Sequence, residues 1–303
     1  MTGLAHEDAT VDVTRRSRSD QLSVRIFRTF RRLPVHLTIV VIMAIWLIPT
    51  FGLFVNSFRA IEDMSNAGWW TALFPPSDLT LQSYEQVLNT EGVASGFVNS
   101  LIITIPATVI QIVIATMAGY AFAWMRFPGR DFFFIVIVLL LVVPIQMTLV
   151  PVLRGFAATG LAGSFLAVWL AHVGYGLPFQ TYLFRNAMSS LPSEVFESAE
   201  VDGANHVQKF WRIGLPMIVP AVAAITIFVF LGIWNDLLVA LTYMGSSPNR
   251  PLTVVVTQLL TSFGGGWQFL TAAAVLQMAL PLAVFLGLQR YFQRGISAGA
   301  VKG

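Results

Sequence analysis

Glu197, Glu200 and Asp202 stand with His206, Lys209 and Arg212 in one polar run, ESAEVDGANHVQKFWRIGLP (Glu197–Pro216), set between two long apolar stretches. Carboxylates and amines at this density could do acid–base chemistry, hold a metal or dock a charged partner. The first two options lack their remaining parts. The other histidines (His6, His36, His172) are scattered and make no HExxH or paired-ligand pattern with His206. There is no cysteine, which removes disulfides, thiolate metal sites and thiol catalysis. No GxSxG elbow occurs. The only lysines are Lys209 and Lys302, and neither closes a GxxxxGK[ST] phosphate loop. Gly264-Gly265-Gly266 has no lysine after it and reads as a flexible turn. No catalytic residue and no metal site is expected, and nothing points to nucleic acid. What remains is docking on a partner or a connector lying on lipid.

A docking run needs elements to hold it. Pro192 and Ser193 suit a helix start, with Glu194 and Glu197 in the first turn where the helix dipole favours acids. Val195, Phe196 and Ala199 then share one side. Gly203 can take a positive φ and so ends that helix. Asn205 with Gln208 three residues on resembles a capping box that opens a second helix, carrying Phe210, Trp211 and Ile213. Leu215-Pro216 ends it and leads into the next apolar segment. The pattern predicts two short helices bent at a glycine, with small residues (Ser198, Ala199, Ala204) that permit close approach. A connector lying flat on lipid should be rich in Lys and Arg on its polar face. Here Glu194, Glu197, Glu200 and Asp202 lead, and anionic lipid would repel them. A protein partner fits better.

The rest of the chain is almost all membrane. Apolar residues make up 56% and charged residues 11%, with a mean hydropathy of +0.72; soluble domains carry roughly 25% charged residues. The class is an all-α polytopic membrane protein. A span needs about 20 apolar residues, and six candidates occur, at about 34–57, 98–124, 131–152, 164–184, 217–241 and 268–289. Each contains a proline (Pro49, Pro106, Pro144, Pro178, Pro220, Pro281), which membrane helices tolerate when neighbours satisfy the freed carbonyls. Arg15, Arg16, Arg18, Arg25, Arg28, Arg31 and Arg32 precede the first span; Arg126, Arg130, Lys209, Arg212, Arg290 and Arg294 flank later ones on the same side. By the positive-inside rule both termini and the Glu197–Pro216 run face the cytoplasm. The organisation is a basic N-terminal arm (1–33), a six-span domain (34–289) carrying the loop 190–216, and a cytoplasmic tail (290–303). The first span reads as a retained anchor, since its apolar run is too long for a signal peptide. Outside, the Arg59–Phe97 connection carries Trp69 and Trp70, which mark either the membrane interface or a docking surface for an extracytoplasmic partner.

Polar groups within spans are functional candidates because lipid penalises them. Gln111, Gln146, His172, Tyr175, Asn235, Asp236 and Gln277 qualify. Gln146, Tyr175, Asn235 and Gln277 are the candidate lining of a substrate path; hydrogen-bonded helix glue is the other reading of each.

At this point the residues carry a resemblance. ESAEVDGA, followed by Phe210, Ile213 and Leu215-Pro216, resembles the EAA motif of permease subunits in binding-protein-dependent ABC importers. NSLIITIPAT, LPFQTYLFRNAMSSLP, WNDLLVAL and the terminal QRYFQRGISAGAVKG resemble the maltose-type carbohydrate permeases, specifically their six-span subunit. Ser198 departs from the alanine usual there. The resemblance implies the ABC importer type I permease fold, in a bacterial or archaeal cytoplasmic (inner) membrane. It also implies that Glu197, Ser198, Ala199, Asp202, Gly203, Ala204, Ile213, Leu215 and Pro216 form an ATPase-coupling element. The partners it implies are a second permease, an ATP-binding subunit dimer, an extracytoplasmic substrate-binding protein and a sugar. This chain then holds no cofactor and is no enzyme, because ATP and Mg bind the partner ATPase. A polyol or glycerol phosphate importer is the near alternative. A stand-alone secondary transporter is a distant one, since it would call for inverted repeats and midplane carboxylates.

Overall fold

The computed structural model describes residues 33–73, 79–90, 92–262 and 267–300. The basic arm up to Arg32, Phe74 to Pro76, the Gly264–Gly266 turn and the last residues of the tail lie outside the described residues. Among the described residues, every regular element is helical. The long outer helix α1 (Leu33–Asn56) leads through a short α2 (Ile61–Asn66) and α3 (Gln82–Asn89) into the central α4 (Val93–Trp124).

α4 shows why this bundle forms. Its buried positions include Gly96, Ser100, Ile103, Ala107, Gln111, Ala115 and Gly119, a stripe at three- and four-residue spacing. Small and hydroxylated residues in that stripe let helices approach closely where lipid supplies no hydrophobic drive. The main partner of α4 is α7 (Phe165–Ser189), while Gly96 and Ser100 at its start meet Leu252. At Gly119 a Cβ would stand 2.7 Å from the Phe184 Cβ and 2.8 Å from the Arg185 backbone nitrogen, so only glycine fits. Trp indoles add interhelical hydrogen bonds. Trp124 Nε1 donates to the Met188 carbonyl at 3.0 Å, and Trp169 Nε1 donates to the Ile102 carbonyl at 2.9 Å.

Two expected spans are broken. The span expected at 131–152 is two helices, α5 (Arg130–Leu140) and α6 (Ile145–Ala158), meeting at 100°. Pro144 sits at the α6 N-cap in extended geometry, where its ring would clash with a preceding helical turn. The second short helix of the polar run, α9 (His206–Met217), likewise turns by 77° into α10 (Val219–Trp234). α10 stops at Trp234, short of the expected 241, and α11 (Leu238–Met244) follows after a break at Asn235–Leu237. α12 (Leu252–Ser262) returns against α4, where Ser100 Oγ accepts from the Leu252 amide at 2.9 Å. α13 (Trp267–Ala300) continues past the expected end at 289 through the first part of the tail. Among the described residues three helices are long and apolar enough to span a bilayer, or five if each bent pair counts as one span. α7, although 25 residues long, is not among them because its polar side chains lower its hydropathy.

Candidate functional site

The polar run folds as two helices bent at Gly203, as its residues foretell. Two details differ: Glu197 falls beyond the first turn of the first helix, and the second runs past Leu215-Pro216 to Met217. α8 (Ser193–Val201) closes in a Schellman turn: the Gly203 amide donates to the Glu200 carbonyl at 3.0 Å and the Ala204 amide to the Ala199 carbonyl at 2.9 Å. Gly203 takes φ 81°, the left-handed value this turn requires. Asn205 and Gln208 then form a reciprocal capping box, with both bonds at 2.9 Å. Within α9, Phe210–Gly214 is a π-helical turn. Such a bulge re-aims side chains and is frequent at functional sites. The hairpin α8–α9 hangs from the end of the bundle where α4 and α7 finish.

Its inner surface is fastened in three places. Phe196, 4% exposed, stacks on the Trp124 indole at 3.9 Å. Phe210, also buried, meets the Tyr120 ring edge-on at 5.4 Å, and the Tyr120 hydroxyl lies 3.3 Å from His206 Nδ1. Lys209 Nζ donates to Glu200 Oε2 at 3.1 Å, tying the two short helices together across the glycine turn. The Lys209 side chain is buried whereas Glu200 is exposed. That hydrogen bond, and then the ammonium charge, hold the Glu200 carboxyl below its ordinary pKa.

The coupling residues expected from the sequence divide by surface. Glu197, Ser198, Asp202, Gly203 and Pro216 are exposed, and the Ser198 hydroxyl only bonds back to the Val195 carbonyl at 3.1 Å. Ala199 and Ala204 are half-buried at the turn. Ile213 and Leu215 face inward and pack on the core. Beside the acids stand exposed apolar side chains, Val201 (89% exposed), Val207 and Trp211. Sequence reasoning missed Tyr120, Trp124 and the pairing of Lys209 with Glu200. The first two belong to a span that reads as uniformly apolar, and a lysine in a polar run reads as solvated.

The substrate-path candidates scatter. Gln146 is exposed on α6. Asn235 Nδ2 donates to the Leu231 carbonyl of its own helix at 2.9 Å. Gln277 and Trp234 exchange bonds between α13 and α10, each side chain donating to the other's carbonyl, at 3.2 and 3.0 Å. Tyr175 alone of the four lines the cavity between α4, α7 and α10, where Gln111, His172 and Gln180 join it. Tyr175 Oη also lies 2.6 Å from Tyr243 Oη of α11. Asp236 caps α11, its Oδ2 accepting from the Val239 and Ala240 amides at 3.0 Å. No trio of His, Asp or Glu converges as a metal site among the described residues.

Residues 111–298 match the model of the family described as binding-protein-dependent transport system inner membrane component, and the chain belongs to that family. It is 51% identical over 277 residues to the osmoprotective compounds uptake permease protein GgtD of Synechocystis sp., covering 90% of this chain and 93% of that one. It is 46% identical over 260 residues to the alpha-glucoside transport system permease protein AglG of Rhizobium meliloti, covering 82% and 68%. Among solved structures it resembles a chain of a bacterial ABC transporter involved in the import of the acidic polysaccharide alginate. The TM-score there is 0.71 at 23% identity, over 89% of this chain and 98% of that one. The fold is that of an ABC importer type I permease. Membership of a binding-protein-dependent family sets aside the stand-alone secondary transporter.

Proposed function

We propose that this chain, paired with a second permease, forms the path of an ATP-driven importer for a sugar, and that the α8–α9 hairpin couples it to a cytoplasmic ATPase dimer. The observation that carries the coupling role is the two-sided hairpin. Its outer side offers acids, small residues and bare Val201, Val207 and Trp211, while its inner side is locked to α4 through Phe196, Phe210 and Tyr120. A partner that grips the outer side moves the bundle. In the bacterial or archaeal cytoplasmic membrane, six spans with the hairpin inside satisfy the positive-inside rule if α7 is counted as a span. α7 is able to carry polar groups because its neighbours cover them. An extracytoplasmic binding protein delivers the solute, and ATP and Mg belong to the partner ATPase. A sugar fits the alpha-glucoside relative, and the central cavity has no lysine or arginine lining to favour a phosphorylated solute.

Glu197→Ala and Gly203→Pro test the coupling. Both should abolish uptake and solute-stimulated ATP hydrolysis while the protein stays in the membrane. Normal transport by both variants removes the coupling role. Purification in mild detergent should bring down a second permease and an ATPase; a transport-competent homodimer contradicts the heteromeric reading.

A further inference from the structure

A cavity of about 530 Å³ lies between α4, α7 and α10, within the range of about 300–1,000 Å³ common to small-molecule sites. Gln111 and Gly176 border it, each about 20 Å along its helix from the hairpin end at 1.5 Å rise per residue. The cavity therefore lies midway along these helices, and it opens sideways between α7 and α10, where the lining residues Phe179 and Phe228 are exposed. A Cβ at Gly176 would displace the end of the Gln111 side chain, whose carboxamide crosses to donate to the His172 carbonyl.

Four polar side chains stand in an otherwise apolar wall: Gln111, His172, Tyr175 and Gln180. No Asp, Glu, Lys or Arg lines the space, so a charged solute would find no counter-ion. Gln111 and Tyr175 already have protein partners. Gln180 and His172, each only 8% exposed, do not: the Gln180 amide oxygen and His172 Nε2 have no hydrogen-bond partner. Asp236 Oδ2 stands 3.9 Å from His172 Nε2, close enough for an ion pair with a protonated imidazole but too far for a hydrogen bond. Buried polar atoms left in this state are costly, and a ligand with hydroxyl groups relieves them. Phe179, 52% exposed, brings an aromatic ring to the same wall. Opposite, Gly232 leaves open space, since a Cβ there meets nothing within 4 Å.

We infer that this chain itself contributes a subsite for a neutral, polyhydroxylated solute in transit, with Gln180 and His172 as hydrogen-bonding groups and Phe179 as an apolar platform. The inference rests on the importer reading above and adds to it a place and a chemistry.

Two variants act on the cavity in different ways. Gln180→Leu removes hydrogen-bonding capacity at similar volume, and Gly232→Leu fills the open space. The full transporter, in proteoliposomes with its binding protein, is assayed with radiolabelled maltose and maltotriose. Gln180→Leu should lower uptake of both sugars about tenfold, the effect of a lost buried hydrogen bond. Gly232→Leu should lower maltotriose uptake at least about tenfold more than maltose uptake, a size discrimination that only a filled pocket gives. Co-purification should recover as much assembled complex as for the wild type. Unchanged uptake by both variants, or losses that only track lost complex, overturn the subsite and leave the importer reading standing. A wild-type transporter that carries neither these sugars nor any other neutral polyhydroxylated solute overturns the sugar reading and the subsite together.

Discussion

The Phe196 ring lies nearly flat on the Trp124 indole, with centroids 3.9 Å apart and planes inclined by 16°. Trp124 ends α4, and its indole N–H donates to the Met188 carbonyl near the end of α7. One stacked pair thus joins the hairpin to both central helices. Force applied to α8 reaches the packed core through this contact.

Phe196→Ala should break that route. Truncating a buried phenylalanine costs about 3–5 kcal/mol, more than a short peripheral helix can absorb without opening. Amide hydrogen exchange across Ser193–Val201 should rise at least about tenfold, and uptake should fall while ATP hydrolysis continues unlinked to it. Phe196→Tyr, which keeps the ring, should retain most transport.

Gly203 makes a separate demand on the backbone. At φ 81° with nothing within 4 Å of a Cβ, its substitution cost is conformational alone. Gly203→Val should destabilise the turn by about 1–2 kcal/mol and Gly203→Asn by less, since asparagine visits the left-handed region more readily. The ratio of exchange rates at the Gly203 and Ala204 amides, which close the Schellman turn, measures the difference.

The Glu200–Lys209 pair gives the hairpin a pH dependence. Its folded pKa is lowered from 4.5, so Glu200 binds protons less readily in the docked hairpin than in the open one. Its contribution is fully present above the open-state value and is lost as pH falls through the depressed folded value. At neutral pH the hairpin should be at full strength, weakening only below the ordinary carboxylate range. Comparing wild type with Glu200→Gln isolates the effect. The two should differ in hairpin hydrogen exchange at pH 7 and converge in acid.

At the α4–α7 crossing, Gly119→Leu should destabilise the bundle by about 1–3 kcal/mol, the usual cost of overpacking, because Phe184 and the Arg185 backbone cannot recede. Gly287→Ala, at an exposed position of α13 where a Cβ meets nothing within 4 Å, serves as the control and should be neutral or mildly stabilising. Thermal unfolding in one detergent distinguishes them.

The hairpin was legible because its signals are local: a glycine able to take positive φ and a capping box, with Glu194 the lone acid in the first turn. The broken spans were not. Pro106, Pro151, Pro178 and Pro281 lie inside continuous helices, whereas Pro144 starts a new one at 100° to the last. The same residue type gives opposite outcomes. The pairing of Lys209 was illegible because its carboxylate partner is brought to it by the turn at Gly203. Among the polar groups in spans, Gln277 proved to be a brace between α13 and α10, while Gln180, which no local pattern marks, lines the cavity.

The chain has no cysteine, so a cysteine placed at Val201, 89% exposed at the hairpin tip, is unique in it. The most direct measurement is thiol cross-linking of Val201→Cys in the assembled transporter. A single adduct with the ATP-hydrolysing subunit, and protection from a soluble thiol reagent, are expected if the hairpin seats in that subunit. Full reaction with the reagent and no adduct in a transporter that still imports its solute would contradict the coupling role.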